Sequence, residues 1–266
     1  PTLVVHADWG SAPRKRWMAW ARLGANGRYR VSAPSPVGEP ATLFRRLGAA
    51  AGPEGNVLLG VDFPIGLPLH YAELAGIDAF LDALPRFGEG RWERFYEVGG
   101  APQDISIVRP FYPNRPGGAR REHLLAALQA DAFDTLRRRC ELPHPGRRAA
   151  APLFWTLGSQ QVGKAAIIGW RDLLGPALCS GRGDLAIWPF SGPLKTLCVP
   201  GRIVVAESYP AEFYGHLGVG FAHGQGRRGG KRVREARQAN APLLLQWARQ
   251  AGVDVIPGLA DMIRDG

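Results

Sequence analysis

Three things are scarce in this chain of 266 residues: cysteine, long apolar runs and acidic side chains. The cysteines, Cys140, Cys179 and Cys198, lie far apart and form neither a CxxC nor a Cys/His pattern. This spacing predicts neither a disulfide framework nor a zinc site, and it favours a reducing compartment. No stretch approaches about 18 consecutive apolar residues, and no signal peptide opens the chain, so we expect a soluble, cytoplasmic protein with no membrane partner.

Basic residues outnumber acidic ones. The chain has 33 Lys+Arg against 23 Asp+Glu, a formal net charge of +10 and a pI near 10.1. An excess of positive charge favours polyanionic partners, here nucleic acid or another phosphorylated substrate. Alternatively, the excess of arginine reflects a GC-rich genome, and the charge then has no role in binding.

The sequence does contain three short apolar runs of the kind that form buried strands, at residues 3–7, 57–61 and 203–206. Each run is followed directly by a carboxylate: Asp8 after the first, Asp62 after the second and Glu207 after the third. Carboxylates brought together at strand ends would form a site for a hard divalent cation, Mg²⁺ or Mn²⁺, because such ions prefer oxygen ligands. Taken singly, each acid could instead cap a turn or the start of a helix.

The order of the predicted elements indicates an α/β fold. Residues 1–62 are predicted to run β-β-β-α-β, and strands return at 185–188 and 203–206 before a basic helix near 231–251. A strand, hairpin, helix and strand with acids at the ends of the first and fourth strands is the layout of the ribonuclease H-like fold. We therefore predict a ribonuclease H-like mixed sheet flanked by helices.

The middle of the chain is predicted to be an insertion into this core. Apolar residues recur at helical spacing in 123–139 and 162–174. The predicted division is a core built from residues 1–68 and 183–266 and a mostly helical insertion at 69–182.

Four short motifs follow one another along the predicted core: His6-Ala7-Asp8-Trp9-Gly10, Val61-Asp62-Phe63-Pro64-Ile65-Gly66-Leu67-Pro68, Glu207-Ser208-Tyr209-Pro210, and Lys231 with Arg234. Together they resemble the family called domain of unknown function 429, which is regarded as ribonuclease H-like with a predicted nuclease activity. The resemblance covers the core, and the segment from Asp62 to Pro68 is its most specific part. Ser208 departs from the family, in which a hydrophobic residue is commoner at that position.

The resemblance implies a divalent-metal-dependent phosphodiesterase, and more specifically a nuclease. Two Mg²⁺ or Mn²⁺ ions in such a site can activate a water and stabilise the leaving oxygen. The implied metal ligands are Asp8, Asp62 and Glu207. Lys231 or Arg234 would neutralise charge that develops on the phosphate. The family also tends to supply a further acid from its last helix, for which this chain offers Asp254, Asp261 and Asp265.

A competing motif lies in the insertion. Residues 158–164 fit G-x-x-x-x-G-K, the loop that cradles phosphates at the start of a helix, but Ala165 replaces the hydroxyl residue that would hold Mg²⁺. One alternative function is therefore a nucleotide-binding phosphotransferase or NTP hydrolase on a related fold. A helix start carrying Lys164 could also bind a substrate phosphate without being an NTPase site.

A cluster of basic residues precedes and enters the last predicted helix. Arg228 and Arg232 in this cluster would contact substrate phosphates if the cluster flanks Glu207. A second alternative function is therefore a non-catalytic nucleic-acid-binding protein.

His6 is expected to be a core histidine with satisfied hydrogen bonds. The sequence does not predict the oligomeric state.

Overall fold

The computed structural model describes residues 1–144, 149–157, 162–219 and 230–266. These residues form a mixed sheet of eight strands flanked by helices, which confirms the predicted α/β class. The strands are β1 (Leu3–Asp8), β2 (Trp17–Leu23), β3 (Tyr29–Val31), β4 (Ser35–Pro36), β5 (Val57–Val61), β6 (Leu185–Trp188), β7 (Ile203–Glu207) and β8 (Val253–Val255).

The sheet has the order β6-β7-β5-β1-β2-β3-β8, and β4 adds a short pairing to β2. Strands β6, β7, β5 and β1 run parallel to one another, whereas β1, β2 and β3 form an antiparallel meander. The carboxyl ends of β1, β5 and β7 therefore meet at one edge of the sheet. In open α/β sheets, this is the edge at which ligands bind.

The helices in the described residues are α1 (Pro40–Ala51), α2 (Leu69–Ala75), α3 (Phe80–Ala83), α4 (Arg121–Ala127), α5 (Val162–Gly169), α6 (Gly175–Cys179), α7 (Leu194–Leu197), α8 (Pro210–His216), α9 (Arg234–Gln250) and α10 (Pro257–Asp265). A π-helical turn, Trp170–Leu174, joins α5 to α6. Helix α1 shows why these segments fold as they do. It starts at a proline, which suits a first turn, and Leu43, Phe44 and Leu47 bury one apolar face.

Two predicted helices are shorter in the structure. Helix α4 stops at Ala127 instead of running to residue 139, because Gln129 adopts a left-handed conformation with φ 51° that a helix cannot continue through. The basic helix begins at Arg234 rather than near residue 231. Strand β8 and helix α10 follow it and were not predicted. The three residues of β8 are all half-buried and therefore carry little periodic signal.

The helical segment between β5 and β6 packs onto the sheet through an aromatic core. The rings of Phe87 and Phe95 stack at 3.8 Å, and Trp170 lies 6.3 Å from each of them. The indole Nε1–H of Trp170 donates a 2.7 Å hydrogen bond to the carbonyl of Pro64, in the loop that follows β5. The segment is thereby attached directly to the loop after Asp62.

Candidate functional site

Asp8 and Asp62 form a carboxylate pair at the carboxyl edge of the sheet. Strands β1 and β5 are parallel and Ala7 pairs with Val61, so the next residues, Asp8 and Asp62, lie side by side. Their side chains are close enough to share a hydrogen bond when one carboxyl group is protonated, and the backbone N–H of Trp9 donates a 2.6 Å hydrogen bond to Oδ1 of Asp62. The strand register thus brings together two of the three acids that were expected to converge. We call Asp8 and Asp62 the aspartate pair.

The two residues of the aspartate pair are not equally buried, and burial affects the pKa of Asp62. Asp8 is exposed, whereas Asp62 is largely covered. Burial raises the pKa of Asp62 from its usual 3.8 to about 6; the Trp9 N–H opposes this shift, and the charge and hydrogen bond of Asp8 add to it. Two carboxyl groups in contact favour a shared proton at acidic pH. At neutral pH, two negative charges lie side by side and attract a cation.

The loop after Asp62 is held rigidly. Phe63 is buried and packs edge-on against Trp9, with ring centroids 5.5 Å apart. Pro64 accepts the hydrogen bond from Trp170, and Gly66 has φ 110°, a conformation that other residues rarely adopt. These contacts fix the direction in which Asp62 leaves its strand.

Glu207, the third predicted acid, is bound by an arginine from the helical segment. Both oxygens of Glu207 accept hydrogen bonds from Arg138, at 2.5 and 2.7 Å, and Oε2 also accepts the backbone N–H of Ile65 at 2.8 Å. The buried Arg138 guanidinium binds Glu141 as well, and it donates to the carbonyl of Ile65 at 2.9 Å. Glu207 thus ties the loop after Asp62 to the helical segment.

The structure does not bring Glu207 together with the aspartate pair. In the parallel pairing of β5 with β7, Val61 lies opposite Glu207. Because side chains alternate along a strand, Glu207 shares the sheet face of Val61, and Asp62 points to the other face. Position 208 is the one that falls on the face of Asp62, and it is a serine.

His6 and Ser208 were not predicted as site residues, yet both lie on the face of the aspartate pair. The Oγ of Ser208 is 3.1 Å from Nδ1 of His6 and 3.2 Å from the carbonyl oxygen of Val61. They meet across Gly60, where a Cβ would lie only 3.1 Å from Ser208 Oγ and 3.4 Å from His6 Nδ1. The period of two in β1, which places His6 on the side of Asp8, was the signal available in the sequence.

Lys231 lies close enough to act electrostatically on this face. Burial lowers the pKa of His6, Asp8 raises it, and the positive charge of Lys231 lowers it again. Arg234 instead donates through Nε to the backbone carbonyl of Asp265 at 2.8 Å, which ties α9 to α10. Of the two predicted phosphate-neutralising residues, Lys231 is therefore the one whose charge acts on His6, two residues before Asp8.

The remaining predicted phosphate contacts are dispersed. Arg232 is exposed, and Arg228 lies outside the described residues. Lys164 is half-buried in the first turn of α5, while residues 158–161 of its motif are outside the described part of the chain. Close packing explains the glycine at position 163 of the motif, because a Cβ there would lie 2.3 Å from the carbonyl oxygen of Leu153.

The three candidates for a further acidic ligand lie in or beside α10. Asp254 pairs with Arg28 at 2.8 Å, Asp261 with Arg264 at 2.7 Å, and the backbone carbonyl of Asp265 accepts the bond from Arg234. Within the described ranges, no three His, Cys, Asp or Glu side chains converge in a way that could hold a metal ion. The prediction of Mg²⁺ or Mn²⁺ therefore depends on the aspartate pair.

Among the described residues, no helix combines the length and apolar character needed to cross a lipid bilayer. No known family model matches this chain, and no curated protein or solved structure is significantly similar to it.

Proposed function

We propose that this protein is a divalent-metal-dependent phosphodiesterase that acts on nucleic acid, built on a ribonuclease H-like core. The observation that carries the proposal is the aspartate pair, in which Asp62 and Asp8 touch at the carboxyl ends of two parallel strands. The sheet order around β1, with an antiparallel meander on one side and parallel strands on the other, supports the ribonuclease H-like assignment.

The donor set of the aspartate pair fits Mg²⁺ or Mn²⁺. Both groups offer carboxylate oxygens, and such ions are commonly held by one or two carboxylates, several waters and the substrate phosphate. Burial raises the pKa of Asp62 and the negative charge of Asp8 raises it further, and a bound cation would offset the repulsion between the two carboxylates. When bound, the ion would act as a Lewis acid on the phosphoryl oxygen.

The residues around the pair have separate roles in this proposal. Asp8 and Asp62 hold the ion, and Lys231 draws the phosphate towards the same face. Glu207 and Arg138 position the loop after Asp62 through their bonds to Ile65. That Glu207 is a third metal ligand stays a prediction, since in this structure Arg138 binds both of its oxygens.

The test combines Mn²⁺ calorimetry with hydrolysis of single- and double-stranded DNA and RNA. The variants are Asp8→Asn and Asp62→Asn, with the exposed Asp82→Asn as the matched control. We expect Mn²⁺-dependent cleavage by the wild type and the control and at least a tenfold loss of Mn²⁺ affinity and of cleavage in both pair variants. Metal binding and cleavage that survive both substitutions would refute the proposal.

The same panel separates the two alternative functions. Retained nucleic-acid binding, with no cleavage by any variant including the wild type, would favour a non-catalytic binding protein. Nucleotide binding that is lost in Lys164→Ala but kept in both pair variants would favour the phosphotransferase or NTP hydrolase.

A further inference from the structure

A cavity of about 300 Å³ opens on the face of the aspartate pair. His6 lines it from strand β1, and Ser208 lines it from just beyond β7. Its other walls are mostly aromatic and come from the start and first turns of α8: Tyr209, Phe213 and Tyr214. A volume of this size is at the lower end of the range for small-molecule sites.

Two residues that line the cavity, His6 and Ser208, lie next to the aspartate pair on the same face of the sheet. His6 precedes Asp8 by two residues on the same strand face, which separates their Cα atoms by about 7 Å. In the register of β5 and β7, Gly60 pairs with Ala206, so the next residue on that face brings Ser208 beside Asp62.

The cavity walls leave large aromatic surfaces in water. The side chain of Phe213 is 55% exposed and that of Tyr209 is 40% exposed. The ring of Phe213 makes T-shaped contacts with His216 and Trp247, at centroid distances of 6.2 and 6.3 Å, and no aromatic ring among the described residues is stacked parallel to it. Aromatic faces of this kind are what proteins use to stack nucleobases.

The polar side of the cavity has a defined hydrogen-bonding character. Ser208 Oγ contacts both His6 Nδ1 and the Val61 carbonyl, and a hydroxyl has one proton. Both contacts are satisfied together only when Ser208 donates to the carbonyl and His6 donates through Nδ1. The Nε2 of His6 is then an acceptor, and no described residue donates a hydrogen bond to it. Every nucleobase carries an N–H that such an acceptor can bind.

We propose that this cavity binds the nucleobase of the nucleotide whose phosphate lies at the aspartate pair, with its ring stacked on Phe213 and its edge hydrogen-bonded to His6. This inference rests on the proposed phosphodiesterase function, since it names the part of the substrate that the cavity takes. The site needs neither a metal ion nor a phosphate to bind a base.

The experiment uses the four ribonucleosides as probes in EDTA, with dissociation constants obtained by NMR titration. Phe213→Ala removes the stacking face and Phe213→Leu keeps the apolar volume without the aromatic ring. Met262→Ala, an exposed apolar side chain on α10, is the matched control. We expect at least one nucleoside to bind the wild type, with an affinity about tenfold lower in both Phe213 variants and unchanged in Met262→Ala.

The absence of binding by all four nucleosides at millimolar concentration would overturn the assignment, as would equal affinities of Phe213→Ala and Met262→Ala. Because a nucleoside has no phosphate and EDTA removes metal ions, this result is independent of phosphodiester cleavage. Nucleoside binding with no metal-dependent cleavage would refute the proposed function and leave the base-binding cavity standing.

Discussion

Arg138 and Glu207 are separated by 69 residues in the chain, and their side chains form a two-pronged ion pair with N–O distances of 2.5 and 2.7 Å. Arg138 is buried and also holds Glu141, which is itself buried. One arginine thus compensates two acids while joining the helical segment to the end of β7. Such a network is costly to break, because each remaining carboxylate would lose its partner in a poorly solvated place.

Removing this arginine should strongly destabilise the protein. We expect Arg138→Met to lower the free energy of unfolding by about 3–5 kcal/mol, measured by urea denaturation. The exposed Arg264→Ala, which breaks the pair with Asp261, should cost about 1 kcal/mol or less. In the double variant Arg138→Met/Glu207→Gln, the loss should be smaller than the sum of the single losses, and strict additivity would contradict the network.

The raised pKa of Asp62 makes stability depend on pH. An acid whose folded-state pKa lies above its unfolded value favours folding below the unfolded pKa, near 3.8, and this contribution disappears as pH rises through about 6. In EDTA, Asp62→Asn should therefore be more stable than the wild type at pH 8 by about 1–3 kcal/mol and equal to it near pH 4. Thermal or urea unfolding at both pH values measures this difference.

Asp82→Asn is the control for this pH dependence, because Asp82 is exposed on α3. Its stability should follow that of the wild type at both pH values. A destabilised Asp62→Asn at pH 8 would mean that the aspartate pair is not under electrostatic strain.

The titration of His6 reports on the charges that surround the cavity. Lys231 lowers the pKa of His6 and Asp8 raises it, so Lys231→Ala should raise that pKa and Asp8→Asn should lower it. The measurement is a pH titration of the His6 ring protons by NMR. Lys195→Ala removes an exposed lysine on α7 and should leave the pKa of His6 unchanged. No response to Lys231→Ala would place this lysine away from the site.

Gly169 allows α5 to approach the loop after Asp62. A Cβ at this position would lie 2.6–2.7 Å from three ring atoms of Phe63. We expect Gly169→Ala to cost about 1–3 kcal/mol of stability through overpacking. Gly215 is also helical but has open space around it, so Gly215→Ala should stabilise by about 0.5–1 kcal/mol. Chemical denaturation of the two variants decides the comparison, and two stabilised variants would contradict the close packing.

Much of the sheet could be predicted from local patterns. Short β-branched runs indicated β1, β5 and β7, and the acids after them indicated which strand ends carry chemistry. Asp8, Asp62 and Glu207 were expected to come together at strand ends, and the parallel pairing of β1 with β5 does this for Asp8 and Asp62. Strand β8 has only three half-buried residues, and too few positions alternate there for the pattern to be recognised.

The composition and the periodicity of this sequence determine an α/β protein with acids at its strand ends, because those features depend on residues close together in the chain. Only the tertiary structure decided which acids share a face. The register of β7 against β5 places Glu207 with Val61 and leaves Ser208 beside Asp62, a difference of one residue that strand pairing alone sets. Arg138 and His6 acquire their roles from partners 69 and 202 residues away, and no local pattern encodes contacts at such separations.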